Sequence, residues 1–161
     1  MNLKERVFAL TKAVGTSGLE KNASELACDM LKEFCPDAHI DNMGNVIGSF
    51  GEGEENILVE AHIDQIGLIV TAIEDGGFIK VTNCGGVDKR LLAAQEVTVW
   101  GKEKLIGVVS STPPHLSGKD DDSKAIAIDD VAIDMGMSAE ILKEKVSLGD
   151  RVTINSKQLE L

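Results

Sequence analysis

Two stretches of apolar positions at helical spacing open the chain. The first has intervals of four, three and four residues, which is the stripe of an amphipathic helix: Leu3, Val7, Leu10 and Val14. The second runs from Leu19 to Phe34 and must end before Pro36. Between them, Ser17 and Glu20 have the form of a capping box for the second helix. The sequence therefore predicts two consecutive helices.

Short β-type segments follow. Residues 39–41 and 46–48 flank an Asn- and Gly-containing turn and are predicted to pair as two short strands. The run ILVEAHIDQIG, residues 57–67, is almost continuously apolar and is predicted to be a buried strand. Helices followed by such a strand indicate the start of an α/β layer.

After Gly67 the pattern changes to short apolar runs separated by turn residues, which is typical of a small barrel or sandwich. One helix interrupts them, with Ser138 as its cap and Ile141, Leu142 and Val146 facing inward. The predicted strands of this part are 68–73, 78–81, 97–100, 105–109, 125–128 and 151–154.

Charge and composition exclude several function classes. Twenty-seven acidic against 16 basic residues give a formal charge of −11, which repels nucleic-acid backbones and anionic membranes, and 3% aromatic residues offer few surfaces for base stacking. No apolar run reaches the length of a membrane span and the first residues lack a signal-peptide core, so we expect a cytoplasmic protein that binds neither nucleic acid nor membrane.

The three cysteines carry little chemistry. Their odd number and the lack of a CxxC pair argue against a disulfide framework and against a thiolate zinc site. Cys84 has no neighbouring base or helix start that would lower its pKa. We expect Cys28, Cys35 and Cys84 to be small buried side chains.

His62 and Asp64 are the strongest candidates for chemistry. Residues two positions apart in a strand point to the same face, so the two side chains would lie together. A histidine that binds a metal through one ring nitrogen usually donates the other N–H to a carboxylate. The pattern indicates a metal ligand with its orienting partner; a surface pair or a core histidine is the ordinary alternative.

The remaining candidates favour structural roles. His39 lies beside a turn and two aspartates and is interpreted as solvated, and His115, after two prolines, as a packed loop residue. Asp120–Asp122 lack the spacing of a calcium loop and are interpreted as a solvated loop. The glycine pairs at 76–77 and 85–86 do not form phosphate-binding fingerprints and are interpreted as turns.

A series of motifs across nearly the whole chain resembles the glutamyl aminopeptidase and tetrahedral aminopeptidase family of two-metal metallopeptidases. Their order and spacing make the match specific where His-x-Asp alone would not. The motifs are SGLE at 17–20, IDNMGNVIG at 40–48, AHIDQIG at 61–67, GGVDKRLLAAQEVTVWG at 85–101, IGVV and PPHL within 106–116, IAIDD at 126–130 and SLGDRV at 147–152.

The resemblance implies a fold. Residues 1–68 are expected to be the N-terminal part of a zinc-peptidase-type α/β catalytic domain, and residues 69–158 an inserted PDZ-like or β-barrel domain. Residues 159–161 would begin the return to the catalytic domain, so the fold class expected is α/β with a small β insertion.

The resemblance also implies the chemistry. His62 falls on the position of a metal ligand and Asp64 on that of the residue that orients it. The complete enzyme would use two divalent metal ions, zinc or cobalt, to remove N-terminal residues from a peptide substrate, and would form a homo-oligomer. The bridging aspartate, the paired glutamates and the other ligands would follow the insertion, beyond Leu161. We therefore expect these 161 residues alone to bind metal weakly and not to turn over.

Two other readings remain open at this point. One is a non-catalytic module for assembly or for binding a peptide strand at a sheet edge. The other is a degenerate paralogue that regulates an active partner. The preferred N-terminal residue, the metal and the oligomer size are not predicted by these patterns.

Overall fold

The computed structural model describes residues 1–110 and 127–160. It divides into two compact units, Met1–Gln65 and Ile66–Leu161, close to the boundary predicted after residue 68. The elements in chain order are helices α1 (Leu3–Lys12) and α2 (Lys21–Lys32), strands β1 (His39–Ile40), β2 (Val46–Ile47), β3 (Gly67–Ile73), β4 (Phe78–Cys84), β5 (Glu96–Trp100), β6 (Lys104–Ser110) and β7 (Ala132–Asp134), helix α3 (Ala139–Lys145) and strand β8 (Arg151–Ile154). The assignment of the two units to parts of a catalytic domain and its insertion stays a prediction.

Helix α1 begins with a complete capping box. The Asn2 side chain accepts a hydrogen bond from the Glu5 backbone N–H at 2.9 Å, and the Glu5 carboxylate accepts one from the Asn2 backbone at 2.8 Å. This pair satisfies two N–H groups that the first turn would otherwise leave unpaired. The predicted first helix is confirmed.

Helix α2 is also confirmed, but its predicted cap is wrong. The helix begins at Lys21 with Glu20 as its N-cap, and no side chain caps it. Ser17 lies too far upstream, and its hydroxyl donates to Asp64 instead. The Glu20 carboxylate accepts from the Gly18 backbone N–H at 2.5 Å. The motif that resembled a capping box therefore orders the loop before the helix.

Strands β1 and β2 form the predicted antiparallel pair. The Asp41 carboxylate closes their turn by accepting from the backbone N–H groups of Met43 at 2.8 Å and Asn45 at 2.9 Å. Gly44 adopts a φ of 88°, which favours glycine. Local side-chain bonds thus fix this turn.

The prediction of a buried strand at 57–67 is wrong for the N-terminal unit. No strand is formed between Ile47 and Gly67, and Ile57, Leu58 and Val59 are 91%, 85% and 89% exposed. A strand requires a neighbour to receive its backbone hydrogen bonds. Among residues 57–65, only Gln65 has such a neighbour in the described part of this unit, through its bridge to Thr16.

The C-terminal unit is a closed barrel of six strands in the order β3-β4-β7-β6-β5-β8, with β8 pairing back onto β3. All pairings are antiparallel. Alternate side chains point inward and form one apolar core, which includes Leu68, Ile79, Val97, Ile133 and Leu142, each fully buried. The alternation of apolar and polar residues therefore predicted most of these strands. Their observed pairing shows that they form a barrel and not a sandwich.

One predicted barrel strand is misplaced. Residues 125 and 126 of the predicted strand 125–128 lie outside the described residues, and Ile128 begins a 3-10 helix, Ile128–Asp130. The strand that pairs with β4 and β6 is β7, a few residues later. Val131 and Ile133 supply its buried side chains.

Helix α3 begins after Ser138 as predicted. Leu142 and Val146 are buried, whereas Ile141 is 45% exposed, so its predicted inward orientation is wrong. Leu142 and Val146 lie four positions apart and share a face, which Ile141 leaves by about 100°.

Gly107 of β6 is closely packed against residues 133–135. A Cβ there would lie 2.8 Å from Ile133 Cγ2 and 3.0 Å from the Asp134 carbonyl, and closer still to the Met135 sulfur. Only glycine fits this position. In the part of the chain that the structure describes, no helix is long and apolar enough to cross a membrane.

Candidate active-site segment

The candidate site lies where the loop after α1 meets the end of the apolar run. The Gln65 backbone N–H donates to the Gly15 carbonyl at 2.7 Å, and its side chain donates to the Ala13 carbonyl at 3.3 Å. Thr16 and Gln65 form a parallel bridge. These bonds fasten two chain segments that are about 50 positions apart.

Gly15 allows this close approach. A Cβ at Gly15 would lie only 2.8 Å from the Ala23 Cβ on α2. Real Cβ atoms do not approach so closely, so a side chain here would push the loop away from the helix. The absence of a side chain at Gly15 keeps the loop against the helix.

His62 and Asp64 contact each other, although no strand forms. His62 Nδ1 lies 3.0 Å from Asp64 Oδ1 and 3.1 Å from the Asp64 backbone carbonyl. Both acceptors call for a proton on Nδ1, which leaves the Nε2 lone pair available. The His62 side chain is 86% exposed, so Nε2 is accessible to a ligand.

Ser17 is the other partner of Asp64. Its hydroxyl donates to Asp64 Oδ2, so the two carboxylate oxygens serve two different donors. The Ser17 hydroxyl first, and the His62 ring next, hold the pKa of the Asp64 carboxyl below its ordinary value. Hydrogen bonds to a carboxylate favour its charged form, and a charged Asp64 is the better acceptor for His62.

The residues present fit one corner of a metal site. Nε2 of a neutral histidine is a common metal ligand, and a carboxylate on its other nitrogen is the usual support. In residues 1–110 and 127–160 no group of three His, Cys, Asp or Glu side chains comes together to hold a metal ion. His62 therefore fits as a single ligand of a larger set. Its role and that of Asp64 stay predictions.

Sequence reasoning missed Ser17 as part of this site. The motif SGLE signals a helix cap equally well, and no pattern relates Ser17 to a residue 47 positions away. Only the resemblance placed SGLE and AHIDQIG in the same series of motifs. That series was the one signal that could have linked them.

The other candidates take no part in this site. His39 is exposed, with Nδ1 3.2 Å from the Asp37 carbonyl. The three cysteines are buried free thiols, as predicted. Gly77 and Gly85 have positive φ, as expected for turn residues. His115 and Asp120–Asp122 lie outside the described residues.

A family model described as M42 glutamyl aminopeptidase matches residues 44–161. This range covers most of the chain and includes both His62 and Asp64. The chain belongs to the M42 glutamyl aminopeptidase family. The resemblance read from the sequence motifs is therefore confirmed.

Individual M42 relatives agree. The chain is 35% identical to a lysyl aminopeptidase of Pyrococcus furiosus over 92% of this chain and 43% of the relative. It is 28% identical to the glutamyl aminopeptidase of Lactococcus lactis over 94% of this chain and 45% of the relative. The chain thus spans less than half the length of these M42 relatives.

A solved peptidase structure extends the match to the fold. The Pyrococcus horikoshii TET1 peptidase, described as able to assemble into a tetrahedron or a large octahedral shell, is 39% identical with a TM-score of 0.81. The match covers 95% of this chain and 46% of that one. The α/β elements and the six-stranded barrel are therefore those of the TET peptidase type.

Proposed function

We propose that this chain is the N-terminal part of a metal-dependent aminopeptidase, with His62 as a metal ligand and Asp64 as its orienting partner. The observation that carries the proposal is the His62–Asp64 contact at 3.0 Å in a member of the M42 family. The relatives named as lysyl and glutamyl aminopeptidases support hydrolysis of N-terminal residues from a peptide substrate.

Each side chain has a defined task in this proposal. Asp64 holds the proton of His62 on Nδ1, so that Nε2 presents its lone pair to solvent. Two divalent metal ions, zinc or cobalt, would supply polarisation of the scissile carbonyl and activation of water. His62 provides one of the several ligands that such a pair requires, and the others belong to sequence outside residues 1–161.

The proposal predicts that these 161 residues alone bind Zn²⁺ weakly and do not hydrolyse aminoacyl-4-nitroanilides. To restore a complete site, the chain would replace the matched region of the Pyrococcus furiosus lysyl aminopeptidase in a chimaera. The chimaera is expected to be active with Zn²⁺ or Co²⁺ and to lose activity on chelation and in His62→Ala. Asp64→Asn should lower activity or metal affinity by about 10–100-fold.

His39→Ala is the matched control, since His39 is an exposed histidine of the same unit that lies on the β1–β2 hairpin. It should leave the chimaera active. A folded, metal-loaded chimaera without activity would contradict the proposed function. Turnover by the 161 residues alone would contradict the incomplete site.

Assembly is a second part of the proposal. The description of the Pyrococcus horikoshii peptidase as a tetrahedron or octahedral shell supports a homo-oligomer, which light scattering of the purified protein would test. The PDZ-like description and the peptide-binding alternative receive less support. Each barrel strand already pairs on both sides, which leaves little edge for an added peptide strand. The cytoplasmic location stays a prediction.

A further inference from the structure

The Ser17–Asp64 hydrogen bond joins two motifs of the sequence that the proposed function uses unequally. AHIDQIG supplies the candidate ligand and its partner, whereas SGLE has no role in that function. The Ser17 hydroxyl nevertheless donates directly to the carboxylate that contacts His62. The chain thus contains a three-residue series, Ser17 to Asp64 to His62.

The His62–Asp64 pair needs such support because it is exposed. The side chains of His62 and Asp64 are 86% and 39% accessible. Exposed ion pairs and hydrogen bonds contribute little free energy and do not by themselves hold two side chains in one geometry. A second hydrogen bond on Asp64 Oδ2 removes the rotation that would break the contact of Oδ1 with His62.

Ser17 is itself held in place. Thr16, next to it, pairs with Gln65, which is the residue after Asp64. The Leu19 backbone N–H donates to the Thr16 carbonyl at 2.7 Å and closes the turn that contains Ser17. The donor and the acceptor therefore lie on two segments that are fastened one residue away from each.

We propose that Ser17 is a positioning residue: its hydroxyl fixes the Asp64 carboxylate so that Oδ1 keeps the proton of His62 on Nδ1 and leaves Nε2 for the metal. The inference rests on the proposed function for the identity of the ligand. The geometry that it describes belongs to the 161-residue chain itself. Ser17 is not the N-cap residue of α2, since that helix starts at Lys21 with Glu20 as its N-cap.

The test measures the tautomer of His62 by ¹⁵N NMR of the intact 161-residue chain without metal, at about pH 8, where an ordinary histidine is neutral. We expect wild type to be predominantly Nδ1–H. Ser17→Ala should shift His62 toward a mixture with Nε2–H, and the Asp64 side-chain couplings should average. Zn²⁺ affinity, measured by calorimetry, should fall by up to about 10-fold.

Two variants control for structure. Ser17→Thr keeps the hydroxyl and should restore the wild-type tautomer. Ser24→Ala removes another hydroxyl of the same unit, one that donates to the Gly44 carbonyl at 2.9 Å, and should leave His62 unchanged. If Ser17→Ala disrupts the unit, Ser17→Cys replaces it as the test, because a thiol is nearly isosteric and a weak donor.

An unchanged His62 tautomer in the folded Ser17 variant overturns the inference, since the Asp64 backbone carbonyl at 3.1 Å would then suffice to hold the proton. That result leaves the proposed function intact. Conversely, a tautomer shift together with an inactive chimaera would retain the positioning role and reject the peptidase assignment. The two proposals can therefore fail separately.

Discussion

The two units of this chain differ in how completely they bury their apolar side chains. In the barrel, each strand has partners on both sides, and the large side chains of its core are fully buried. In the N-terminal unit, three consecutive large apolar residues, Ile57, Leu58 and Val59, are at least 85% exposed. Ile57–Val59 and the barrel strands both consist largely of apolar residues, so hydrophobicity alone does not decide which of them is buried.

Pairing is what differs between them. The barrel contains all the strands that its backbone groups need, whereas residues 57–61 have no strand partner among the described residues of their unit. Contiguous exposed apolar patches are typical of interaction surfaces. The barrel is thus closed by its own strands, whereas the run 57–61 is exposed and unpaired among the described residues of its unit.

Amide hydrogen exchange should show the largest contrast. Barrel amides such as Val70, which donates to the Asp150 carbonyl at 2.9 Å, should exchange about a thousandfold or more slowly than when unfolded. Amides 57–60 should exchange at nearly the unprotected rate. Strong protection of amides 57–60 in the isolated chain would mean that this run forms backbone hydrogen bonds in solution. That result would contradict the difference between the two units.

The second largest contrast is expected when one leucine of each unit is replaced by alanine. Leu68→Ala removes a fully buried barrel side chain and should cost about 2–5 kcal/mol of unfolding free energy. Leu58→Ala removes an 85% exposed side chain and should change stability by less than about 0.5 kcal/mol. Urea unfolding would be followed by fluorescence of Trp100, the single tryptophan, and by circular dichroism. Equal losses would refute the difference in packing.

Glycine substitutions sharpen the description of the barrel. Gly107→Ala places a methyl group against Ile133 and the Asp134 carbonyl and should cost about 1–3 kcal/mol. Gly86→Ala is the control, because a Cβ there meets nothing within 4 Å. It should be neutral or should stabilise by up to about 1 kcal/mol through the unfolded state. If Gly107→Ala left the thermal unfolding midpoint unchanged, the packing around Gly107 in solution would be looser than the structure shows.

The smallest change in stability is expected at acidic pH. Here the units resemble each other, because each contains an aspartate whose pKa is lowered by hydrogen bonds. Hydrogen bonds from Arg90 lower the pKa of Asp88, on the barrel unit, to about 2, and Asn45 lowers the pKa of Asp41 in the N-terminal hairpin. A lowered folded-state pKa stabilises above the unfolded value of about 3.9. For Asp88 that contribution should disappear as the pH falls from about 4 to 2.

Carboxyl titration by NMR would check this prediction. Arg90→Ala should raise the Asp88 midpoint toward the ordinary value of about 3.9 without reaching it, because the backbone N–H of residue 90 still donates to Asp88 Oδ1, and should leave Asp41 unchanged. An Asp88 midpoint near 3.9 in wild type would show that the Arg90 contact, at 2.6 Å from Nη2 to Oδ2, does not persist in solution.

Elements whose partners are near in sequence could be predicted. Helix α1, the β1–β2 hairpin and most barrel strands follow from spacing and turn residues. The errors have a common origin in distant contacts. Residues 125–128 and 131–133 carry similar apolar signals, and only pairing with β4 and β6 selects the second as the strand. The strand at 57–67 failed because no described strand of its unit lies beside it to receive its backbone hydrogen bonds.

The candidate site divides in the same way. His62 and Asp64 are two positions apart, so their contact could be expected from the sequence, and it forms even without the strand. Ser17 reaches Asp64 across 47 positions through a loop that depends on Gly15 and on the Gln65 bridge. Neither spacing nor charge indicates such a contact, since several loop residues before α2 could have capped the helix.

The pairing of β3 with β8 has a consequence for how such a barrel is carried in a longer polypeptide. Leu68, in the strand that enters the barrel, lies opposite Val152, in the strand that leaves it. Paired positions on antiparallel strands are about 5 Å apart, so the chain enters and leaves the barrel at adjacent points. A barrel whose two ends are adjacent in this way could be inserted into a surface loop of another domain with little adjustment of that domain's backbone.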